Sequence, residues 1–166
     1  AVWIGGAVTE IDQVRNGKGF WGDLLVACGY ERQALVDVMA GASAGGLNAV
    51  LLAQAIRVGA PFQDFEKVWL DCADIDRLVK PPRQARRFDS RAVCDGQFFL
   101  RRLYDALAAA RPPEGTHDAP RDQDLTVFAS ATLVTPNPVE FKDVPGSPIC
   151  EARSDAYFHV ARRGPA

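Results

Sequence analysis

Residues 36–49 read Val36-Asp-Val-Met-Ala-Gly41-Ala42-Ser43-Ala44-Gly45-Gly46-Leu47-Asn48-Ala49. The apolar stretch Ala34–Ala40 predicts a strand, and Leu47 to Ile56 predicts a helix that stops near Gly59. Between them stands G-x-S-x-G, the pattern of a nucleophile elbow, in which a serine at a sharp strand-to-helix turn is lifted out of the sheet edge. The steric expectation is that Gly41 and Gly45, lacking Cβ atoms, relieve crowding on both sides of Ser43. Ala42 and Ala44 complete the elbow, and the helix behind Ser43 directs its free N–H groups and positive dipole end at whatever the serine attacks. The backbone N–H of Ala44 is the candidate oxyanion donor.

Other glycine-loop chemistries fail on specific positions. Gly41 and Gly46 have the spacing of a P-loop, but Leu47-Asn48 occupies the place of the Lys-Ser/Thr pair that grips phosphate and magnesium. The dinucleotide fingerprint fails because Ser43 stands at its second glycine. No cofactor and no metal are expected.

The 166 residues, 48% hydrophobic and 24% charged with a formal net charge of −2, fit one α/β domain and give no electrostatic reason to expect a nucleic-acid partner. No apolar run reaches the roughly 18 residues needed to span a bilayer. Cys28, Cys72, Cys94 and Cys150 are scattered without a C-x-x-C pair, as expected of reduced thiols in a cytoplasmic protein. The chain opens on Ala1-Val-Trp3 and closes on Arg163-Gly-Pro-Ala166 straight after a strand-like run, so residues 1–166 are expected to be one partial domain of a longer protein.

Outward from the elbow, Ile4, Ala7, Val8, Ile11 and Val14 recur at helical spacing up to the Asn16-Gly17 breaker, and Phe20 to Ala27 predicts a short helix. The elbow helix is expected to turn Leu47, Val50, Leu51, Ala55 and Val58 toward the core. Phe62, Phe65, Val68, Trp69 and Cys72 form the buried stripe of the next helix, which starts near Pro61, and Ile75–Val79 predicts a further short one. Residues 77–91 are basic, through Arg77, Lys80, Arg83, Arg86, Arg87 and Arg91. They are expected to be a solvated loop or, through Arg83, Arg86 and Arg87, a peripheral contact with an anionic membrane surface. Asp95 is placed to cap a helix carrying Phe99, Leu103, Tyr104 and Leu107. Leu125 to Leu133 alternates as a strand, Pro136-Asn-Pro138 and Gly146-Ser-Pro148 predict turns, and Ala156–Val160 is a final strand. Helix, strand, several helices and then strands imply a three-layer α/β/α fold around a mostly parallel sheet.

The catalytic base is the weak point of a histidine mechanism. Only His117, in a Pro/Gly-rich stretch, and His159, in a strand, are present. Neither context suggests a catalytic loop, so no histidine is expected to act as base. Gly41-Ala-Ser-Ala-Gly-Gly-Leu-Asn48 after Asp37-Val-Met resembles the patatin-like phospholipases. Ala1-Val-Trp-Ile-Gly-Gly6 resembles the start of the family's first helix and Val68-Trp-Leu-Asp-Cys-Ala-Asp-Ile75 the helix after the elbow, while Asp95-Gly-Gln-Phe-Phe-Leu-Arg-Arg-Leu-Tyr104 and Leu125-Thr-Val-Phe-Ala-Ser-Ala-Thr132 resemble the later helix and strand of a bacterial branch.

The resemblance implies a Ser–Asp dyad acting on lipid acyl esters, with Ser43 as nucleophile. It implies oxyanion glycines immediately before Ala1 and a dyad aspartate in a D-G-G/A motif outside this chain. Asp95-Gly96 comes too early to be that motif. On this reading the 166-residue piece alone is hydrolytically weak or inactive. Two other readings stand beside it: a non-catalytic lipid- or partner-binding module that keeps the elbow as architecture, and a thioesterase or esterase using His159.

Overall fold

The computed structural model describes residues 2–30, 34–79, 93–110 and 123–163. In chain order the elements are α1 (Val2–Arg15), α2 (Gly19–Ala27), β1 (Val38–Ala42), α3 (Ala44–Val58), a 3-10 turn (Phe62–Phe65), α4 (Glu66–Ala73), α5 (Ile75–Leu78), α6 (Gly96–Ala109), β2 (Leu125–Lys142) and β3 (Pro148–Arg162). The elbow strand therefore sits a few residues later than Ala34–Ala40. Its pairing starts only where Asp37 O accepts from Thr126 N.

The sheet has the order β1-β2-β3. β1 and β2 run parallel, with Met39 opposite Val127 and Gly41 opposite Ala129. β2 and β3 run antiparallel, because a connection as short as residues 143–147 allows no other direction. Among the described residues the sheet is thus mixed, not mostly parallel. Pro136-Asn-Pro138 does not turn the chain either. β2 runs through it, and Leu133–Pro136 bulge out opposite Ser154 alone. Proline cannot donate to a ladder, so a bulge is where a strand accommodates it. The Gly146 turn is present, closed by Gly146 N donating to Asp143 O at 2.9 Å.

Period-2 alternation decides which face of the sheet is covered. Met39, Leu125 and Val127 are buried beneath α3. Their neighbours on the opposite face, Val38 (60% exposed), Phe128 (46%) and Tyr157 (77%), have no helix over them among the described residues. In α3 the core side chains are Leu51, Leu52, Ala55 and Ile56. The apolar stripe expected after Pro61 is fully realised: Phe62, Phe65, Val68, Trp69 and Cys72 are all buried. Burying a phenylalanine of that kind contributes about 1.5–3 kcal/mol. Asp95 caps α6 by accepting from Gln97 N (3.0 Å) and Phe98 N (3.1 Å). Phe99, Leu103 and Leu107 of α6 pack on the core, while Tyr104 faces solvent.

The first helix buries the face that apolar spacing would not choose. Gly5, Thr9, Asp12 and Arg15 are its buried residues, and Ile11 is 45% exposed. The polar groups are inside because each has a partner. Asp12 Oδ1 accepts from Arg15 Nη2 at 2.6 Å, and its Oδ2 accepts from the backbone N–H of Phe62 at 3.0 Å. Thr9 donates to Glu66 Oε1 at 3.1 Å. A buried carboxylate tolerates its desolvation only with such partners, so removing one is costly. Arg15→Ala is expected to destabilise the protein by about 3 kcal/mol, whereas Ile11→Ala should cost about 0.5 kcal/mol. Denaturant titration of the two variants checks the order, which is the reverse of what apolar periodicity implies.

Candidate active site

Ser43 sits where β1 ends and α3 begins, with φ 51° and ψ −119°, and it is the one non-glycine residue with positive φ among those described. An L-residue in this sparsely populated region costs about 1–3 kcal/mol, and such conformations persist only where the surroundings enforce them. Here both main-chain groups of Ser43 are committed. Its N–H donates to Ser130 O at 3.0 Å, prolonging the β1–β2 ladder, and its carbonyl accepts from Leu47 N at 3.1 Å, the first bond of α3. The side chain does not cap the helix, and the residue is exposed. The hydroxyl is therefore presented to solvent above the sheet edge, beside the first-turn N–H groups of α3, which have no intrahelical acceptors.

Close backbone approach produces this geometry. A Cβ on Gly41 would fall on the Gly45 carbonyl carbon and 2.5 Å from the Gly46 nitrogen. A Cβ on Gly46 would lie 2.9 Å from both Gly41 O and Ala129 Cβ. One on Gly45 would meet nothing within 4 Å. The steric requirement thus falls on Gly41 and Gly46, not on Gly41 and Gly45 as the motif spacing suggests. Ala42 immediately precedes Ser43 and lines the open face, while Ala44 is half-buried at the helix start.

One turn into α3, Asn48 is completely buried. Its Nδ2 donates to Ala44 O at 2.9 Å, and its Oδ1 accepts from Trp69 Nε1 at 2.9 Å. The amide therefore ties the start of the elbow helix to α4. Sequence reasoning placed neither Asn48 nor Ser130 at the site; an asparagine amid an otherwise apolar helix face was the available signal.

His159 is not beside the serine. It pairs with Phe128, which pairs with Ala40, so it lies across β2 from the elbow strand. Two strand spacings make about 10 Å, far outside the roughly 3.2 Å reach of a general base. Its ring is stacked on Phe128, with centroids 4.7 Å apart and ring planes nearly parallel, 5° apart. His117 lies outside the described residues, as do Lys80, Arg83, Arg86, Arg87 and Arg91. Arg77 pairs with Asp74 at 3.0 Å. Among the described residues no carboxylate is hydrogen-bonded to the Ser43 hydroxyl, and no group of His, Cys, Asp and Glu could hold a metal ion. The Cys72 thiol is buried and its pKa is raised, first by desolvation and then by the Asp71 charge, with Arg102 opposing. It is accordingly a packing residue rather than a nucleophile. A cleft of about 440 Å³ runs along Ala40–Ala42, Phe128–Ser130 and Tyr157–His159 on the open sheet face.

A parallel strand, a strained serine and a helix held against that strand by two glycines form a sharp strand-to-helix turn on an α/β framework. The chain belongs to the patatin-like phospholipase family, whose family model matches residues 1–154. It is also similar to a protein of Mycobacterium tuberculosis described as an uncharacterized membrane protein, at 30% identity over 111 residues. That match covers 65% of this chain and 10% of the relative, so the chain spans about a tenth of that protein's length. No solved structure matches it significantly. Among the described residues no helix is long and apolar enough to cross a membrane.

The glycine and serine geometry gives three stability expectations. Gly41→Ala should lose at least about 2 kcal/mol through overpacking, while Gly45→Ala should change stability by less than about 0.5 kcal/mol. Ser43→Gly should gain about 1 kcal/mol, the strain released less the greater chain entropy of glycine. Thermal and denaturant unfolding of the three variants measures all of these.

Proposed function

We propose that this chain carries the nucleophile of a serine acyl hydrolase acting on lipid esters. The strained conformation of Ser43 is the observation that carries the proposal. An elbow kept only as architecture would place glycine at φ 51° and avoid the strain, so a serine there favours catalysis over a purely binding module. In the proposed reaction Ser43 Oγ attacks the ester carbonyl and its proton passes to a carboxylate. The tetrahedral oxyanion is held by the N–H of Ala44 and the positive end of α3. Collapse expels the alcohol and leaves an acyl-serine, which water then hydrolyses.

The proton acceptor is proposed to be an aspartate outside residues 1–166, forming a Ser–Asp dyad with Ser43. A partly desolvated carboxylate can take up a proton near neutrality. Residues 1–166 are accordingly proposed to be part of a larger catalytic domain. Its open sheet face, carrying Val38 and Phe128, would gain a second helical layer, completing the three-layer arrangement. A cytoplasmic location and peripheral contact with anionic membranes through Arg83, Arg86 and Arg87 belong to the same proposal.

Hydrolysis of phosphatidylcholine micelles and of a short-chain ester by the full-length protein tests the reading. Ser43→Ala should lower kcat by about 10⁴-fold or more, since members of a catalytic set act as a unit. His159→Gln should stay within about twofold, because its ring is beyond general-base reach. Residues 1–166 alone should be inactive beside the full-length protein. Retained turnover in Ser43→Ala would overturn the proposal.

A further inference from the structure

A second cleft, on the covered side of the sheet, has a polarity of its own. It is an open groove of about 350 Å³ between α3, α6, β2 and β3, within the range of small-molecule sites. Val50, Ala53, Leu107, Val127 and Val160 make its walls. The polar groups on its lining are Gln54, Arg57 and Arg162, and they gather at one end. The register shows why. Val127 pairs with Val160, and Leu125, two residues earlier, pairs with Arg162. α3 packs back along the strands from Gly46, which touches Ala129. Val50 therefore lies toward the Val127–Val160 end and Arg57, about 10 Å further along the helix, toward the Leu125–Arg162 end.

Arg57 is exposed and has a defined orientation, because its Nε donates to Gln54 Oε1 at 2.9 Å. Arg162 is itself engaged within the chain. A guanidinium presents five donors in a planar fork, so one bond to Gln54 leaves others to direct at an anion. The cleft is thus a one-ended amphiphile site: an apolar trough that ends in an oriented guanidinium. An ammonium head group would be repelled there, and an uncharged chain would leave the cationic end unmatched. The charge and the lining match a fatty acid, its carboxylate on the Arg57 fork and its alkyl chain along Val50, Ala53 and Val127. Arg57 is fourteen residues beyond Ser43 on α3, about 21 Å away, so this is not the elbow site.

We infer that the cleft between α3, α6 and the β2–β3 hairpin binds a free fatty acid, with Arg57 recognising the carboxylate. The inference concerns a separate site and does not rest on Ser43 being catalytic, although a fatty acid is what lipid ester hydrolysis would release.

Equilibrium binding of palmitate and of 1-hexadecanol to the full-length Ser43→Ala protein, read by calorimetry, tests it. Two further variants are made in that background: Arg57→Gln, on the helix surface, and Val160→Glu, which sets a carboxylate in the trough wall from an exposed strand position. Palmitate should bind at one site, tighter than hexadecanol. Arg57→Gln should weaken palmitate by about tenfold or more and leave hexadecanol unchanged, the loss expected for a charge-assisted hydrogen bond. Val160→Glu should abolish binding of both while unfolding at the same temperature as its parent. Absence of saturable palmitate binding, or palmitate affinity unchanged by both variants, would overturn the inference. Because the readout is binding to a protein without its serine, it is independent of turnover. Hydrolysis with no palmitate site sinks only this inference, and a palmitate site without hydrolysis sinks only the reading of Ser43.

Discussion

The crossing of two backbones at Gly41 and Gly45–Gly46 is the constraint on which the rest of this structure depends. The last turn of the elbow strand and the first turn of α3 approach so closely that Gly41 cannot carry a Cβ without overlapping the helix backbone. Gly46 in turn sets how near α3 lies to Ala129 of the neighbouring strand. That approach leaves Ser43 a left-handed φ, with one hydrogen bond into the sheet and one into the helix. The same contact brings Leu51, Leu52, Ala55 and Ile56 down onto Met39, Leu125 and Val127 to make the core. Local strain at the serine is held in place by burial of that core, an arrangement in which stability gained elsewhere sustains a strained backbone conformation.

Around the elbow the remaining helices are held by buried polar groups rather than by apolar contact alone. Asn48 joins α3 to Trp69 of α4, and Asp12 joins α1 to the 3-10 turn through the Phe62 amide. No buried side-chain nitrogen or oxygen among the described residues lacks a partner. Satisfied in this way, such groups fix distance and direction more narrowly than methyl groups can, because a hydrogen bond weakens steeply when bent or stretched. The start of the elbow helix is thus tied to α4 through Asn48.

Much of this was legible in the sequence where a single local rule governs. The strand-to-helix turn at Ser43, the cap at Asp95 and the stripe from Phe62 to Cys72 each follow from residue type and spacing. The local pattern misleads where a tertiary partner overrides it. In α1 the apolar spacing of Ile4, Val8 and Ile11 points one way, and the partners of Asp12 and Thr9 turn the helix another. Pro136 and Pro138 looked like chain reversal, but pairing on both sides carried β2 through as a bulge. The second essential glycine, Gly46, was hidden because its neighbour, Ala129, is more than eighty residues away in sequence. Asn48 was passed over for the same reason: its value lies in Trp69, which no periodicity around Asn48 reveals.

The proposed catalysis requires Ser43 to be an activated nucleophile rather than a strained bystander. The most direct measurement is treatment of the full-length protein with a fluorophosphonate, followed by peptide mapping by mass spectrometry, with Ser43→Gly protein in parallel. The account predicts a single phosphonyl adduct, on the residue at position 43, at a rate far above that of free serine and absent from the glycine variant. An unmodified Ser43, or an adduct elsewhere in the domain that persists in Ser43→Gly, would contradict it.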